Sequence, residues 1–219
     1  MKKIIYQNVV YEHDLHPLKR SLFDDACRTI ERYAGNINSE YLISKKNYFK
    51  GYDSIWGIFR ILDDPLFLEY DQILFIDGDV FARNTDYDIF KKYKQFSACR
   101  NLTNENSKRR PEYKIFGDRF LNSGIVMFTP ESIEKFRNLD IHKYMKTYKS
   151  VKPGRDQLAL NIMVKDSIGD YNEIDKSDAC YLKDDEAETA PLVHLAGRCR
   201  DKYFAEQKHW DNLFEVKDA

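Results

Sequence analysis

Two aspartates on either side of a glycine, Asp77 and Asp79, are the residues of this chain best suited to chemistry. They follow four apolar residues, 73–76, which predict a strand buried on both faces of a parallel sheet. Alternation along an extended chain aims both carboxylates the same way, and like charges so close repel each other. Mg²⁺ or Mn²⁺ relieves that repulsion and keeps coordination sites open for phosphate. We therefore expect a metal site that holds a diphosphate, with a simple Asp-Gly turn as the alternative.

Three further polar segments adjoin predicted buried elements. Asn-Ser-Gly at 122–124 leads into an apolar strand, where a glycine lets backbone approach a ligand. Asp-Gln at 156–157 begins a predicted helix, and His194 lies within the apolar strand 192–195. Each segment also has a purely structural interpretation: a turn, a helix cap and a hydrogen-bonded core histidine, respectively.

In this order, the segments resemble the motifs of the retaining, GT-A-fold glycosyltransferases of family 8, the glycogenin and lipopolysaccharide galactosyltransferase group. The resemblance runs from about Trp56 to Arg200, and it extends to small GT-A domains of the chlorella-virus type. The segment 194–200 is similar to the family's His-x-x-Gly-x-x-Lys motif, with arginine in place of lysine. The residues that carry the resemblance are Arg60, Asp77, Asp79, Asn122, Ser123, Gly124, Asp156, Gln157, His194, Gly197 and Arg200.

The resemblance implies a role for each of these positions. It implies that Asp77, Asp79 and His194 hold Mn²⁺, with Mg²⁺ as the alternative ion. It implies catalytic roles for Asp156 and Gln157. Whether Asp156 acts as nucleophile, electrostatic stabiliser or acceptor for a sugar hydroxyl stays open, and we favour the stabiliser. The resemblance also implies contacts to the nucleotide-sugar donor for Arg60, Asp77, Asn122, Ser123, Gly197 and Arg200.

The activity implied is Mn²⁺-dependent hexose transfer from a UDP-sugar to a glycan or glycoprotein acceptor, with retention. The sugar is of the glucose or galactose type, or a deoxyhexose. The first strand carries no clear nucleoside-binding signature of the family. One alternative is a nucleotidyltransferase that makes sugar nucleotides, which the absence of glycine from 9–19 disfavours. A second alternative is a non-catalytic domain that binds nucleotide sugars.

Length and composition bound the other function classes. The 219 residues predict one α/β domain over 1–219, which can also be the catalytic part of a longer chain. The 35 basic and 36 acidic residues give a net charge of -1, which argues against a nucleic-acid partner. No apolar run approaches the roughly 20 residues of a membrane span, and polar residues interrupt any signal-peptide core. The four cysteines lack paired spacing, so we expect reduced thiols and a soluble, cytoplasmic protein.

The elements that must position these residues alternate along the chain. This alternation predicts a mostly parallel central sheet flanked by helices. Ser21 and Asp24 resemble a capping box that begins the first helix, Asp53 can cap the second, and Thr129-Pro130 begins a later one. The polar segment 101–114 predicts a long loop of the kind that serves as a lid or binding element. The strands are predicted at 4–11, 40–44, 73–76, 96–100, 125–128 and 192–195.

Overall fold

Nine strands form two sheets in the described part of the computed structural model, which covers residues 1–10, 17–101, 115–150, 155–197 and 199–216. The larger sheet has six strands in the order β2-β1-β3-β6-β5-β7, and the smaller has three in the order β4-β9-β8. The strands are β1 (Lys3–Asn8), β2 (Glu40–Ser44), β3 (Gln72–Asp77), β4 (Val80–Ala82), β5 (Ser97–Arg100), β6 (Leu121–Phe128), β7 (Asn172–Glu173), β8 (Ala179–Tyr181) and β9 (Leu192–His194).

Strand β6 runs against its neighbours in the larger sheet. β1 pairs in parallel with β2 and β3, and β5 pairs in parallel with β7. β6 lies antiparallel between β3 and β5. The α/β class with a mostly parallel sheet is therefore confirmed. Because β6 is reversed, its first residues lie at the same edge as the last residues of β1 and β3.

Helices α1 to α6 cover the two faces of the larger sheet, and α7 and α8 pack against the smaller one. The helices are α1 (Pro17–Asn36), α2 (Arg60–Asp63), α3 (Ile89–Lys92), α4 (Pro130–Arg137), α5 (Ile141–Tyr148), α6 (Arg155–Ser167), α7 (Cys199–Ala205) and α8 (Gln207–Leu213). Short 3₁₀ turns occupy Ser54–Phe59, Pro65–Glu69, Gly117–Arg119 and Asp185–Glu188. Among the described residues, no helix combines the length and apolarity needed to cross a membrane.

Alternating strand residues supply the two cores of the larger sheet. On one face, Tyr6 and Phe75 pack with residues of α2, α4, α5 and α6. On the other face, Ile5 and Leu74 pack with residues of α1, α3 and the small sheet. Burial on both sides explains why β3 and the second half of β6, residues 125–128, appear as continuous apolar runs in the sequence. A third cluster around Trp210 joins α7 and α8 to the small sheet.

The structure corrects several predicted boundaries. The first helix begins at Pro17, so Ser21 lies inside it and is not its cap; proline suits the first helical position because its missing N–H needs no partner there. The first strand ends at Asn8, before the predicted residue 11. Asp53 precedes a 3₁₀ turn and its side chain makes no capping bond. Of the predicted loop at 101–114, all but Asn101 lies outside the described residues.

Candidate functional site

A cleft opens at the edge of the sheet where β1 and β3 end. Asn8, the last residue of β1, pairs in register with Asp77, the last residue of β3. The Gly78 turn then leads from β3 into β4 of the small sheet. The cleft is lined by residues of β1, α1, the first 3₁₀ turn, the Asp-Gly-Asp turn and α7, namely Asn8, Val9, Val10, Phe23, Ser54, Ile55, Asp77, Gly78, Asp79 and Arg200.

Sheet pairing brings Asp77, Asp79 and His194 together, as the resemblance implies. Val80, directly after Asp79, is the antiparallel partner of His194, and the N–H of Leu195 donates to the carbonyl of Asp79 at 3.0 Å. One ligand atom from each of the three side chains lies within 4.8 Å of the others. His194 Nε2 is 3.2 Å from Asp79 Oδ1 and 3.8 Å from Asp77 Oδ2.

The two carboxyl groups of this triad differ in electrostatic environment. Desolvation raises the pKa of Asp77 to about 7, and the neighbouring Asp79 carboxylate adds to the increase. Desolvation also raises the pKa of Asp79. His194 and Arg200 lower it by more, and together they hold this pKa below the usual range. Burial lowers the pKa of His194, and Asp79 more than offsets this, so the net change is upward. The triad thus combines one carboxyl group whose pKa is lowered with one whose pKa is raised to about 7.

Arg200 lies in the first turn of α7 and contacts the triad directly. Its Nε and one terminal nitrogen donate to Asp79 Oδ2 at 3.0 and 2.6 Å. Oδ1 of the same carboxylate is left to face His194. The guanidinium also borders the cleft, where a diphosphate would find its remaining N–H groups. Gly197, with φ of +56°, makes the turn between β9 and α7, a conformation that favours glycine.

Two side chains at the start of β6 meet two at the start of α6. Ser123 Oγ donates to Asp156 Oδ2 at 2.8 Å, and Asn122 Nδ2 donates to Gln157 Oε1 at 3.3 Å. Burial raises the pKa of Asp156, and the Ser123 hydrogen bond opposes that change. Since β6 is paired with β3 next to Asp77, these four residues lie at the same edge of the sheet as the triad. The segment 122–124 is strand, and the turn interpretation is therefore wrong.

Arg60 forms an ion pair with a nearby aspartate. Its guanidinium pairs with Asp64 at 2.9 Å and stands 5.1 Å from the centre of the Tyr48 ring. Arg60 is absent from the described residues that line the cleft. Its implied role in donor binding remains a prediction. Arg198, next to Gly197, lies outside the described residues.

Asn8 is a cleft residue that the sequence analysis missed. Its Nδ2 donates to the Ser54 carbonyl at 2.7 Å. A Cβ at Gly57 would lie 2.2 Å from Asn8 Cγ, so the side chain needs a glycine opposite. The available signal was the change from apolar to polar at the end of the first strand, where ligands bind in open α/β sheets.

The chemistry of the donor set fits a divalent metal. Two carboxylates and one imidazole suit Mn²⁺, which accepts nitrogen more readily than Mg²⁺ does. The ligand atoms of Asp79 and His194 lie 3.2 Å apart, a spacing at which one ion can contact both. Arg200 donates to Oδ2 of Asp79, the oxygen that does not face His194. Hydrogen bonds of this kind orient carboxylates that bind metals.

Comparison with solved structures identifies the fold. No family model and no curated protein matches the sequence. A glycosyltransferase involved in glycosylation of the major capsid of PBCV-1 matches with TM-score 0.62 and 12% identity over 94% of this chain and 100% of that chain. The galactosyltransferase LgtC, solved with donor and acceptor sugar analogs, matches with TM-score 0.55 and 14% identity over 99% and 97% of the two chains. Apo GlyE of Streptococcus pneumoniae TIGR4 matches with TM-score 0.56 and 12% identity over 90% of this chain and 55% of that chain. The chain therefore has the GT-A fold of these glycosyltransferases.

Proposed function

We propose that the protein is a Mn²⁺-dependent glycosyltransferase. It moves a hexose of the glucose or galactose type from a UDP-sugar to a glycan or glycoprotein acceptor, with retention of configuration. The observation that carries this proposal is the cluster of Asp77, Asp79 and His194 beside a cleft at the carboxyl edge of the sheet. The structural likeness to three glycosyltransferases supports it.

The triad would hold the donor's diphosphate through its metal. Asp77, Asp79 and His194 would supply the ligands, with Mg²⁺ as an alternative ion. When bound, a divalent metal neutralises the charge that builds on a departing diphosphate. Arg200 would add hydrogen bonds to the same phosphates while it keeps Asp79 oriented. Such preorganised charge is often the largest contribution to catalysis.

The β6–α6 contact would handle the sugar. Asn122 and Ser123 would donate to or accept from its hydroxyls, since both carry polar groups at the same edge of the sheet as the triad. Asp156, whose position Ser123 fixes, would face the anomeric carbon and stabilise the positive charge that develops there. Gln157 would complete the polar surface beside it. Asp156 as a covalent nucleophile is the competing mechanism.

A turnover assay tests the proposal. Wild-type protein is incubated with a panel of UDP-sugars, with Mn²⁺ or with EDTA, and release of UDP is measured. We expect release with at least one UDP-sugar, only in the presence of metal. Asp79→Asn should abolish it, whereas Asp86→Asn, at an exposed position away from the cleft, should not. Full turnover by Asp79→Asn would show that the metal assignment is wrong.

A second assay, with UTP and a sugar 1-phosphate as substrates, and a binding measurement with UDP-sugars separate the alternatives. A nucleotidyltransferase would release pyrophosphate from UTP and a sugar 1-phosphate, and would leave UDP-sugars intact. A non-catalytic domain would bind a UDP-sugar with Mn²⁺ but release no UDP in any condition.

A further inference from the structure

Gly124 makes room for the imidazole of His194. Its backbone is not left-handed, so conformational freedom does not explain the glycine. A Cβ added there would lie 2.2 Å from His194 Cε1 and 2.7 Å from Nδ1. Such distances are far below van der Waals contact, and the neighbouring atoms belong to a ring inside a packed sheet edge. Any side chain at position 124 would therefore displace the histidine.

Tyr181 covers His194 from another side. The two rings are stacked, with centroids 5.5 Å apart and planes inclined by 16°. The two residues are direct partners in the parallel pairing of β8 with β9, which fixes this arrangement in the backbone. The hydroxyl of Tyr181 lies 3.3 Å from Asn101 Oδ1 and donates to it. The tyrosine is 7% exposed, so its ring is held by surrounding protein.

The remaining edge of the imidazole points at the carboxylates. Nε2 lies 3.2 Å from Asp79 Oδ1, and the ring is almost fully buried. A histidine ligand must present one nitrogen in the ring plane, so the orientation of that plane sets the quality of the metal bond. A slot that fixes the plane would hold the ligand ready before the metal arrives.

We propose that Gly124 and Tyr181 are positioning residues that form a slot for His194 and aim its Nε2 at the metal. This inference rests on the proposed metal-dependent function. It gives the glycine of the Asn-Ser-Gly segment a steric role, in place of the expected approach of backbone to a ligand. It also adds Tyr181, which belongs to no motif of the sequence, to the machinery of the site.

Binding of Mn²⁺ alone to the full chain tests the slot. Affinity is measured by electron paramagnetic resonance of free Mn²⁺, and thermal unfolding without metal confirms that each variant is folded. Mutation of a residue that orients a metal ligand typically lowers metal affinity by about 10–100-fold. We therefore expect Gly124→Ala and Tyr181→Leu to bind Mn²⁺ at least about tenfold more weakly than wild type. Tyr181→Phe keeps the stacked ring and should bind within about threefold of wild type.

Gly35→Ala is the matched glycine control. A Cβ there meets nothing within 4 Å, and the residue lies in α1 without a left-handed backbone. It should leave Mn²⁺ affinity unchanged. Wild-type affinity in folded Gly124→Ala or Tyr181→Leu would overturn the inference. If Gly124→Ala does not fold, the comparison of Tyr181→Leu with Tyr181→Phe decides the question.

A metal-free measurement separates this inference from the proposed function. In the stacked arrangement, the ring current of Tyr181 shifts the imidazole proton resonances of His194. That shift should persist in Tyr181→Phe and vanish in Tyr181→Leu. If wild type binds no Mn²⁺ but the shift behaves in this way, the metal function fails while the slot stands. If the shift is the same in all three proteins, the slot is wrong whatever the metal does.

Discussion

Arg200 and Asp79 form a two-point contact in which Nε and one terminal nitrogen of the guanidinium donate to the same carboxylate oxygen, Oδ2, at 3.0 and 2.6 Å. The other oxygen, Oδ1, faces His194 Nε2 at 3.2 Å. The carboxylate is thus oriented before any metal binds, and its charge is partly balanced by the arginine. Arg200 thus contacts the candidate metal site and at the same time lines the cleft.

Replacing Arg200 should therefore impair both metal and diphosphate binding. We expect Arg200→Met to lower kcat/KM for the UDP-sugar by about 100-fold or more, because a charge-assisted contact to a developing charge is lost. Arg200→Lys should recover only part of this, since lysine cannot donate through two fixed N–H groups. Steady-state kinetics with Lys208→Met, an exposed residue of α8, as control provide the check. Equal kcat/KM in Arg200→Met and wild type would contradict the assignment.

Asp156 should act on the chemical step more than on donor binding. We expect Asp156→Asn to lower kcat by about 10²–10³-fold, because loss of a preorganised electrostatic group typically has that effect. The dissociation constant for UDP with Mn²⁺ should change little. Ser123→Ala, which removes the hydrogen bond to Asp156 Oδ2, should reduce kcat less. A large loss of UDP affinity in Asp156→Asn, with kcat retained, would instead place this residue in donor binding.

Affinity for Mn²⁺ should rise with pH. Asp77 has its pKa raised to about 7, and the pKa of His194 is also raised, so both must lose protons to bind metal. Metal titrations at pH 6, 7 and 8 should show tightening affinity, with protons released on binding. Without metal, the raised pKa of Asp77 has the opposite consequence: its contribution to stability is present at low pH and is lost as pH rises through about 7. An affinity that is constant or falls over this range would contradict the pKa assignments.

Asp178 should stabilise the fold by accepting hydrogen bonds from side chains in and beside α3. It is 5% exposed and accepts hydrogen bonds from Tyr87, Tyr93 and Lys92, which together hold its pKa below the usual value despite desolvation. Removing it leaves the buried Tyr93 hydroxyl and the half-buried Tyr87 hydroxyl without this acceptor, so Asp178→Ala should cost about 2 kcal/mol of unfolding free energy. The more exposed Asp175→Ala should cost less than about 0.5 kcal/mol.

The sign of the pH effect provides a second test of Asp178. Because its pKa is lowered in the folded protein, its contribution is present above the unfolded pKa of about 4 and is lost as pH falls below it. Urea unfolding at pH 7 and pH 3.5 measures this. Wild type and Asp178→Ala should differ more at pH 7, and a larger difference at pH 3.5 would refute the explanation.

The parts of the site that sequence predicted are those with local signals. Asp77 and Asp79 follow an apolar run whose length and burial on both faces are visible in the chain. His194 was placed with them through the resemblance, and pairing of β4 with β9 brings it into contact. Position 124 was singled out as a glycine that lets backbone approach a ligand, with a turn as the alternative interpretation. Strand β6 continues through it without any local signal.

The parts that sequence missed depend on long-range pairing. Strands β4 and β8 have only three residues each, too few for a periodic pattern, yet they build the sheet that carries His194 and Tyr181. The pairing of Asp79 with Arg200 joins residues 121 positions apart. The reversed direction of β6, which brings Ser123 to Asp156, likewise follows from sheet topology and not from any local pattern.

A calorimetric titration of UDP tests the central claim most directly. The account predicts that wild-type protein binds UDP in the presence of Mn²⁺ and at least about tenfold more weakly in EDTA, because Asp77, Asp79 and His194 act on the diphosphate through the metal. Asp79→Asn should lose the Mn²⁺-dependent part of the affinity, while Asp86→Asn should retain it. Equal UDP affinity with and without Mn²⁺, or no UDP binding in either condition, would contradict the account.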